Sequence, residues 1–247
     1  MLHPRLAAAF GQRSVLKIIS GLNNFDSDRV RAVVTAAEHG GATFVDIAAD
    51  PDLVRLAQAV TTRPICVSAV EPSLLAQAVA AGADLVEIGN YDSFYSQGRI
   101  FSAADVLDLT RQTRALLPQT MLSVTVPHTL PLDQQVALAE ALVAAGADVI
   151  QTEGGTSSQP QHSGTLGLIE KAAPTLAAAY EISRAVSIPV LCASGLSTVT
   201  IPMAIASGAA GVGVGSAVNQ LNSEVAMIAT VRALAAAVQR AVAVPAQ

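Results

Sequence analysis

The chain has no tryptophan, aromatic residues make up only 3% of it, and charged residues stop at 13%. Positive charge is scarcer still. The formal net charge is -5 and the pI is near 5.3. No basic stripe is interleaved with aromatics, so nothing offers a field to a phosphate backbone and no nucleic-acid partner is expected. Long apolar runs are also missing: Gly, Pro or charge breaks each one before the roughly 18 residues that a spanning helix needs. The opening MLHPRLAAAFGQR passes straight into a strand pattern without signal-peptide architecture. A cytoplasmic protein with no membrane partner is the expectation. The two cysteines, Cys66 and Cys192, lie far apart inside apolar runs and read as reduced packing residues. No His/Asp/Glu spacing specifies a metal, and no G-x-G-x-x-G opens a helix after the first strand, which weighs against a dinucleotide-binding open sheet.

What the 247 residues do contain is a large aliphatic core, 51% apolar and built from Ala, Val, Leu and Ile. A repeat organises it. HGGATFVDIA from His39, AAGADLVEIG from Ala80, AAGADVIQTEGG from Ala144 and ASGAAGVGVGS from Ala206 each join an Ala-rich helix end, a capping glycine and a β-branched run. Gly41, Gly82, Gly146 and Gly208 mark these joints. Between them fall PICVSAV from Pro64, MLSVTV from Met121 and PVLCASG from Pro189, and LKIISGL opens the series. Strand and helix thus alternate eight times, which implies parallel strands with crossover helices. Eight units in about 250 residues predict an α/β protein, a single (β/α)8 TIM barrel over residues 1–247. Residues 1–14, with LHPRLAAAF, are placed as a segment capping the barrel bottom.

Charged residues stand inside the strands. In LKI, VDI and VEI the charge is flanked by aliphatics, so if the flanking pair faces the helices, Lys17, Asp46 and Glu87 point into the barrel. Asp46, Glu87 and Gln151 each lie five residues past their joint glycine, and Glu153 lies two further on the same face. The candidate catalytic set is therefore Lys17, Asp46, Glu87 and Glu153, at the strand ends where barrel enzymes keep their chemistry. Lys17 would form a Schiff base or polarise an oxyanion while Glu87 or Glu153 moves a proton. The nearby acids raise its pKa and so favour the electrostatic role. A buried ion-pair network that only fills the barrel is the competing reading.

The glycine-rich ends of strands seven and eight, SGLST and GVGVGSAV, predict a phosphate cup from Ser194, Gly195, Gly213, Gly215, Ser216 and Ala217. The segment from Thr152 to Lys171 reads as a long polar connection suited to a lid, with Thr152, Gly154, Gly155 and Thr156 as substrate contacts. Asn23 and Asn24 follow strand one and either bind substrate or shape the turn. His128 and His162 either assist proton transfer or are structural. The apolar run from Glu224 to Val238 either covers the barrel or pairs with a second subunit, making a homo-oligomer.

LKIISGLNNFD, VIQTEGGTSS, SGTLGLIEKAAPTLAAAYEISRAVSIPVLCASGLS and MAIASGAAGVGVGSAVNQLN together resemble an uncharacterised TIM-barrel family of cyanobacteria and red-algal plastids, a plastid open-reading-frame family with a domain of unknown function. The resemblance spans nearly the whole chain and implies a cyanobacterial origin and a cytoplasmic location. VEIGN around Glu87, PVLCASGLS and GVGVGSAV are more distantly similar to thiazole synthase and other phosphate-binding barrels. The lysine of that enzyme would fall at Leu85 and its strand-seven acid at Ala193, so only the phosphate end carries over. The expectation is an enzyme acting on a small phosphorylated metabolite by lyase or isomerase chemistry. Alternatives are a ligand-sensing or photosynthesis-related assembly protein without turnover, and a barrel holding FMN in the same cup.

Overall fold

Each β-branched run forms a strand, and each Ala-rich stretch after it forms a helix that covers the strand's outer face. The computed structural model describes residues 1–155 and 160–243. The strands are β1 Val15–Ile19, β2 Phe44–Ala48, β3 Ile65–Ala69, β4 Leu85–Ile88, β5 Met121–Val126, β6 Val149–Thr152, β7 Val190–Ala193 and β8 Gly211–Val214. They pair in parallel and in sequence order, and β8 closes on β1. The helices are α1 Pro4–Gly11, α2 Ser27–Gly40, α3 Pro51–Gln58, α4 Pro72–Ala80, α5 Asp92–Tyr95, α6 Ala103–Leu116, α7 Leu132–Ala144, α8 Gly164–Ala185, α9 Ile201–Ala206, α10 Ser216–Asn219 and α11 Glu224–Ala243. This is the (β/α)8 TIM barrel that the repeat predicts.

Local chemistry explains the joints. Asp26 caps α2 by accepting from the N–H groups of Asp28 and Arg29, and Asp50 caps α3 in the same way. The joint glycines take left-handed backbone angles, φ +87° at Gly41, +107° at Gly82, +97° at Gly146 and +107° at Gly208. A β-carbon is disfavoured there, which is why glycine recurs at that place in the repeat.

The barrel interior is layered. Val15, Phe44, Cys66, Leu85, Met121, Val149 and Leu191 form an apolar floor at the strand starts, and Leu6 and Phe10 of α1 pack beneath it. The polar layer described below lies above this floor. Alternate strand residues such as Ile18, Val45, Ile47 and Val86 face outward and pack with the helices. Both cysteines are free and buried, and burial raises both thiols, Cys192 to about 11.

Two expectations are corrected. The segment read as one long connection to Lys171 is helical from Gly164 onward. His162 fastens the preceding turn to that helix, its N–H donating to Glu170 at 3.1 Å and its Nδ1 meeting the same carboxylate at 2.6 Å. The second correction concerns apolar length, because α11 is long and apolar enough by composition to cross a membrane. Here it packs against α2 and α9, burying Met227, Val231, Leu234, Ala237 and Val238 at helical spacing.

Candidate active site at the barrel mouth

The strand charges meet as their spacing predicts. Lys17 Nζ lies 2.6 Å from Glu87 Oε2 and 3.1 Å from Asp46 Oδ2. Ser123 Oγ donates to Glu87 Oε2 at 2.9 Å, Gln151 Nε2 donates to Glu87 Oε1 at 2.7 Å, and Ser68 Oγ donates to Asp46 Oδ1 at 2.6 Å. Burial alone would lower the lysine's pKa, but the two carboxylates outweigh it and hold the ammonium above the ordinary lysine range. Burial pushes the Glu87 carboxyl up while Lys17 opposes it. Three donors converge on this group, an arrangement that the carboxylate form accepts in full.

This layer is closed from above. Lys17 and Glu87 are 0% exposed and Asp46 is 1% exposed. The cavity at the mouth, about 190 Å³, is lined by Thr125 and Gln151 but by none of these three. Its wall on the β7–β8 side is Ser194, Gly195, Leu196, Gly213, Gly215 and Ser216. Among the described residues, no protein acceptor takes the N–H groups of Gly195, Gly215 or Ser216. Ser194 and Asn90, which also line the cavity, hold φ at +78° and +67°. Non-glycine residues in that region are strained and cluster at ligand sites. Lys171 reaches the same wall from α8, its carbonyl oxygen lying 2.6 Å from where a β-carbon on Gly195 would stand. Among the described residues its ammonium has no ion-pair partner.

Across the cavity stands Glu153, one residue beyond β6 and 4% exposed. Its Oε1 accepts from the Asp92 N–H at 2.9 Å. Its Oε2 accepts from Tyr95 Oη at 3.0 Å and from the His128 N–H at 3.3 Å, and it lies 3.1 Å from His128 Nδ1. The hydrogen bond to Glu153 raises the His128 pKa against partial burial, and burial together with Glu153 raises the Tyr95 hydroxyl. Asp92, His128 and Glu153 offer ligand atoms within 4.8 Å of one another, close enough to hold a metal ion. Both Glu153 oxygens face N–H or O–H donors, which hold the carboxylate in place.

The family described as Protein of unknown function (DUF561) matches residues 2–243. The chain belongs to the DUF561 family. It is 47% identical over 218 residues to uncharacterized protein ycf23 of Cyanophora paradoxa, covering 88% of this chain and 89% of that protein. It is 38% identical to the protein of the same description from Porphyra purpurea, over 95% and 88% of the two chains. Among solved structures, (S)-3-O-geranylgeranylglyceryl phosphate synthase of Thermoplasma acidophilum, in complex with sn-glycerol-1-phosphate, matches with a TM-score of 0.65. That match has 14% identity and covers 97% of this chain and 100% of that one. Thiamine phosphate pyrophosphorylase of Pyrococcus furiosus matches with a TM-score of 0.61 and 17% identity, over 93% and 98%. At such identities these structures share the fold.

In this DUF561 chain the predicted residues divide. Lys17, Asp46 and Glu87 point inward as expected, and none of the three lines the cavity, whereas Gln151 and Thr125 do. The raised lysine pKa favours the ammonium form over the free amine that a Schiff base needs. Glu153 is at the cavity yet pairs with His128, not with the lysine. Ser194, Gly195, Gly213, Gly215 and Ser216 line the wall, whereas Ala217 does not. Thr152 lines it, with its hydroxyl already 2.6 Å from that of Thr175. Gly154 packs on Thr175 and Gly155 on His128, both outside the cavity lining. Asn23 lines a separate hollow of about 160 Å³. Asn24 donates to Ser20 Oγ at 2.9 Å and shapes the loop. Thr156 lies outside the described residues, and His162 pairs with Glu170 away from the mouth.

Sequence reasoning missed Lys171, Asp92, Tyr95, Asn90 and Asn219. A signal for Lys171 was present: it is one of only two lysines in the chain.

Proposed function

We propose that the protein binds a small phosphorylated metabolite, its phosphate held by Lys171 and the Ser194–Gly195 and Gly215–Ser216 backbone, and moves a proton on it with Glu153. The observation that carries this reading is Lys171, whose ammonium has no ion-pair partner among the described residues, on a cavity wall where the N–H groups of Gly195, Gly215 and Ser216 have no acceptor among those residues. A cation and free amides on one concave wall suit a phosphate, and charge-assisted bonds of that kind are the strong ones. The reading does not depend on α10, which is a single turn.

Glu153 is suited to taking a proton from a ligand carbon or hydroxyl. Its donors hold the carboxylate in place, and the His128 imidazole at 3.1 Å can carry the proton onward. Proton transfer without hydride or electron transfer belongs to lyase and isomerase chemistry. Lys17 then acts at a distance, as the counter-charge that fixes the layer below. The two solved neighbours whose names contain a phosphate ester support the substrate class, since the loops after the seventh and eighth strands are the usual anion site of this fold.

The test is ligand-observed NMR with inorganic phosphate and a panel of small phosphate esters, followed by proton exchange in D2O. Binding at millimolar concentration or better is expected, with deuterium entering one ester. Glu153→Gln should abolish that exchange while leaving phosphate affinity within about threefold, because it keeps the shape and removes the base. No binding of any phosphate would overturn the reading.

A second reading, ligand sensing without turnover, is favoured by the exposed Phe25 and Leu74, 59% and 37% exposed, beside the neighbouring hollow. Ester binding with no exchange in any ester would support it.

A further inference from the structure

Gln151 stands between the closed polar layer and the open cavity, and its amide is held one way round. It is 3% exposed. Nε2 donates downward to Glu87 Oε1 at 2.7 Å and to Thr125 Oγ1 at 3.2 Å. A carboxylate only accepts, so Glu87, fixed by Lys17 and Ser123, requires the NH2 side of the amide. The carbonyl oxygen Oε1 is buried, and among the described residues no protein donor reaches it. A β-carbon built on Gly213 would lie 3.5 Å from Oε1 and 3.1 Å from both Ala193 Cβ and Ile19 Cδ1. All four residues line the cavity, and the two 3.1 Å contacts are tighter than a β-carbon ordinarily makes, so glycine fits beside this oxygen where a side chain would crowd it. Asn219 repeats the arrangement at the rim. Its Nδ2 donates to the carbonyls of Ile19 at 2.7 Å and Gly215 at 3.1 Å, and its Oδ1 is buried without a partner.

Gln151 and Asn219 both line this cavity, and each carries a buried acceptor oxygen with no donor among the described residues; with Lys171 on the wall, they describe a ligand that carries donors as well as an anion. We propose that the cavity selects a hydroxylated phosphate ester, a short polyol or sugar phosphate, with Gln151 Oε1 accepting a hydroxyl of the ligand. This inference rests on the phosphate reading above and adds the substrate class. Gly213 and Gly215 are two residues apart on one extended segment, roughly 6–7 Å. A three-carbon polyol phosphate reaches from the Gly215 amide down to Oε1 over such a span. Lys17, Asp46 and Glu87 thereby become positioning residues: they set which side of the Gln151 amide faces the ligand and touch no ligand themselves.

The experiment is calorimetric titration of the full chain with inorganic phosphate, glycerol phosphate and n-propyl phosphate, which has the same carbon count but no hydroxyls. Glycerol phosphate is expected to bind at least tenfold more tightly than propyl phosphate, and Gln151→Met is expected to erase that ratio while leaving inorganic phosphate within threefold. Where Gln151→Met does not fold, Gly213→Ala is expected to lower the ratio of glycerol phosphate to propyl phosphate affinity, because its methyl group would crowd Oε1. Equal binding of the two esters by the native protein overturns the hydroxyl reading and leaves the phosphate reading standing. A ratio that survives in the variant overturns the role of Gln151. Failure of all three ligands to bind overturns both readings.

Discussion

The two lysines of this chain stand in opposite surroundings. Lys17 is wholly buried, clasped by Asp46 and Glu87, and outside the cavity lining. Lys171 is half-buried on a helix, with no counter-ion among the described residues, at the edge of an open cavity. A fully paired ammonium serves the fold and the orientation of its neighbours. An unpaired one beside free amides serves a ligand. The difference between structural and functional charge in this barrel is therefore one of pairing and access, since residue type is the same in both.

The contrast is broken most forcefully at Lys17. Lys17→Met leaves two buried carboxylates without their cation and is expected to cost about 3–5 kcal/mol in urea unfolding. Adding Asp46→Asn and Glu87→Gln should recover most of that loss, because the remaining groups are neutral. If Lys17→Met alone were tolerated within experimental error, the closed layer would not be an ion-pair network.

Next in size is Gly195. Its φ is +70°, and a β-carbon would stand 2.6 Å from the Lys171 carbonyl oxygen, so Gly195→Ala is expected to cost about 1–3 kcal/mol of thermal stability and to weaken phosphate binding. Gly11→Ala is the control, with nothing within 4 Å and an ordinary backbone angle. Its effect should be neutral or slightly stabilising. Equal losses at the two positions would remove the close approach of Lys171 from the account.

Strand order, the joint glycines and the inward aim of Lys17, Asp46 and Glu87 were legible because they depend on period-two alternation and a repeat, both local in sequence. The closing of that layer was not. It depends on contacts between strands, such as Gln151 of β6 reaching Glu87 of β4, which spacing along one strand does not encode. Lys171 was hidden for a different reason. SGTLGLIEKAAP carries two glycines in its first turns and a proline at position 174, all poor helix formers, yet α8 runs through them because packing outweighs propensity. Gly167 lies so close to the His162 carbonyl that a side chain would not fit there. The partnership of Glu153 with His128 follows from β5 and β6 being neighbours, and in retrospect the predicted strand order placed both residues at one side of the mouth.

The mouth cluster differs from the core cluster in responding to pH near neutrality. The hydrogen bond to Glu153 raises the His128 pKa above its unfolded value of about 6.5. A raised cationic pKa stabilises the fold fully below the unfolded value, and the contribution disappears as pH rises through the folded value. The melting temperature of the native protein should therefore exceed that of His128→Gln by more at pH 6 than at pH 9. Partial exposure keeps the underlying energy below about 1 kcal/mol. A difference independent of pH would mean that packing, and not the proton, accounts for the effect of the imidazole.

The smallest effect on stability is expected where the effect on binding is large. Lys171→Met removes a charge that no described residue pairs, so unfolding free energy should change by no more than about 0.5 kcal/mol, as for an ordinary surface substitution. A charged hydrogen bond to phosphate contributes about 1.5–3 kcal/mol, so affinity for inorganic phosphate should fall by roughly 10- to 150-fold. Lys17→Met alone should show the reverse, a large loss of fold stability with phosphate affinity nearly intact, because Lys17 does not line the cavity. Phosphate affinity unchanged in Lys171→Met would place the anion elsewhere and dissolve the distinction between the two lysines.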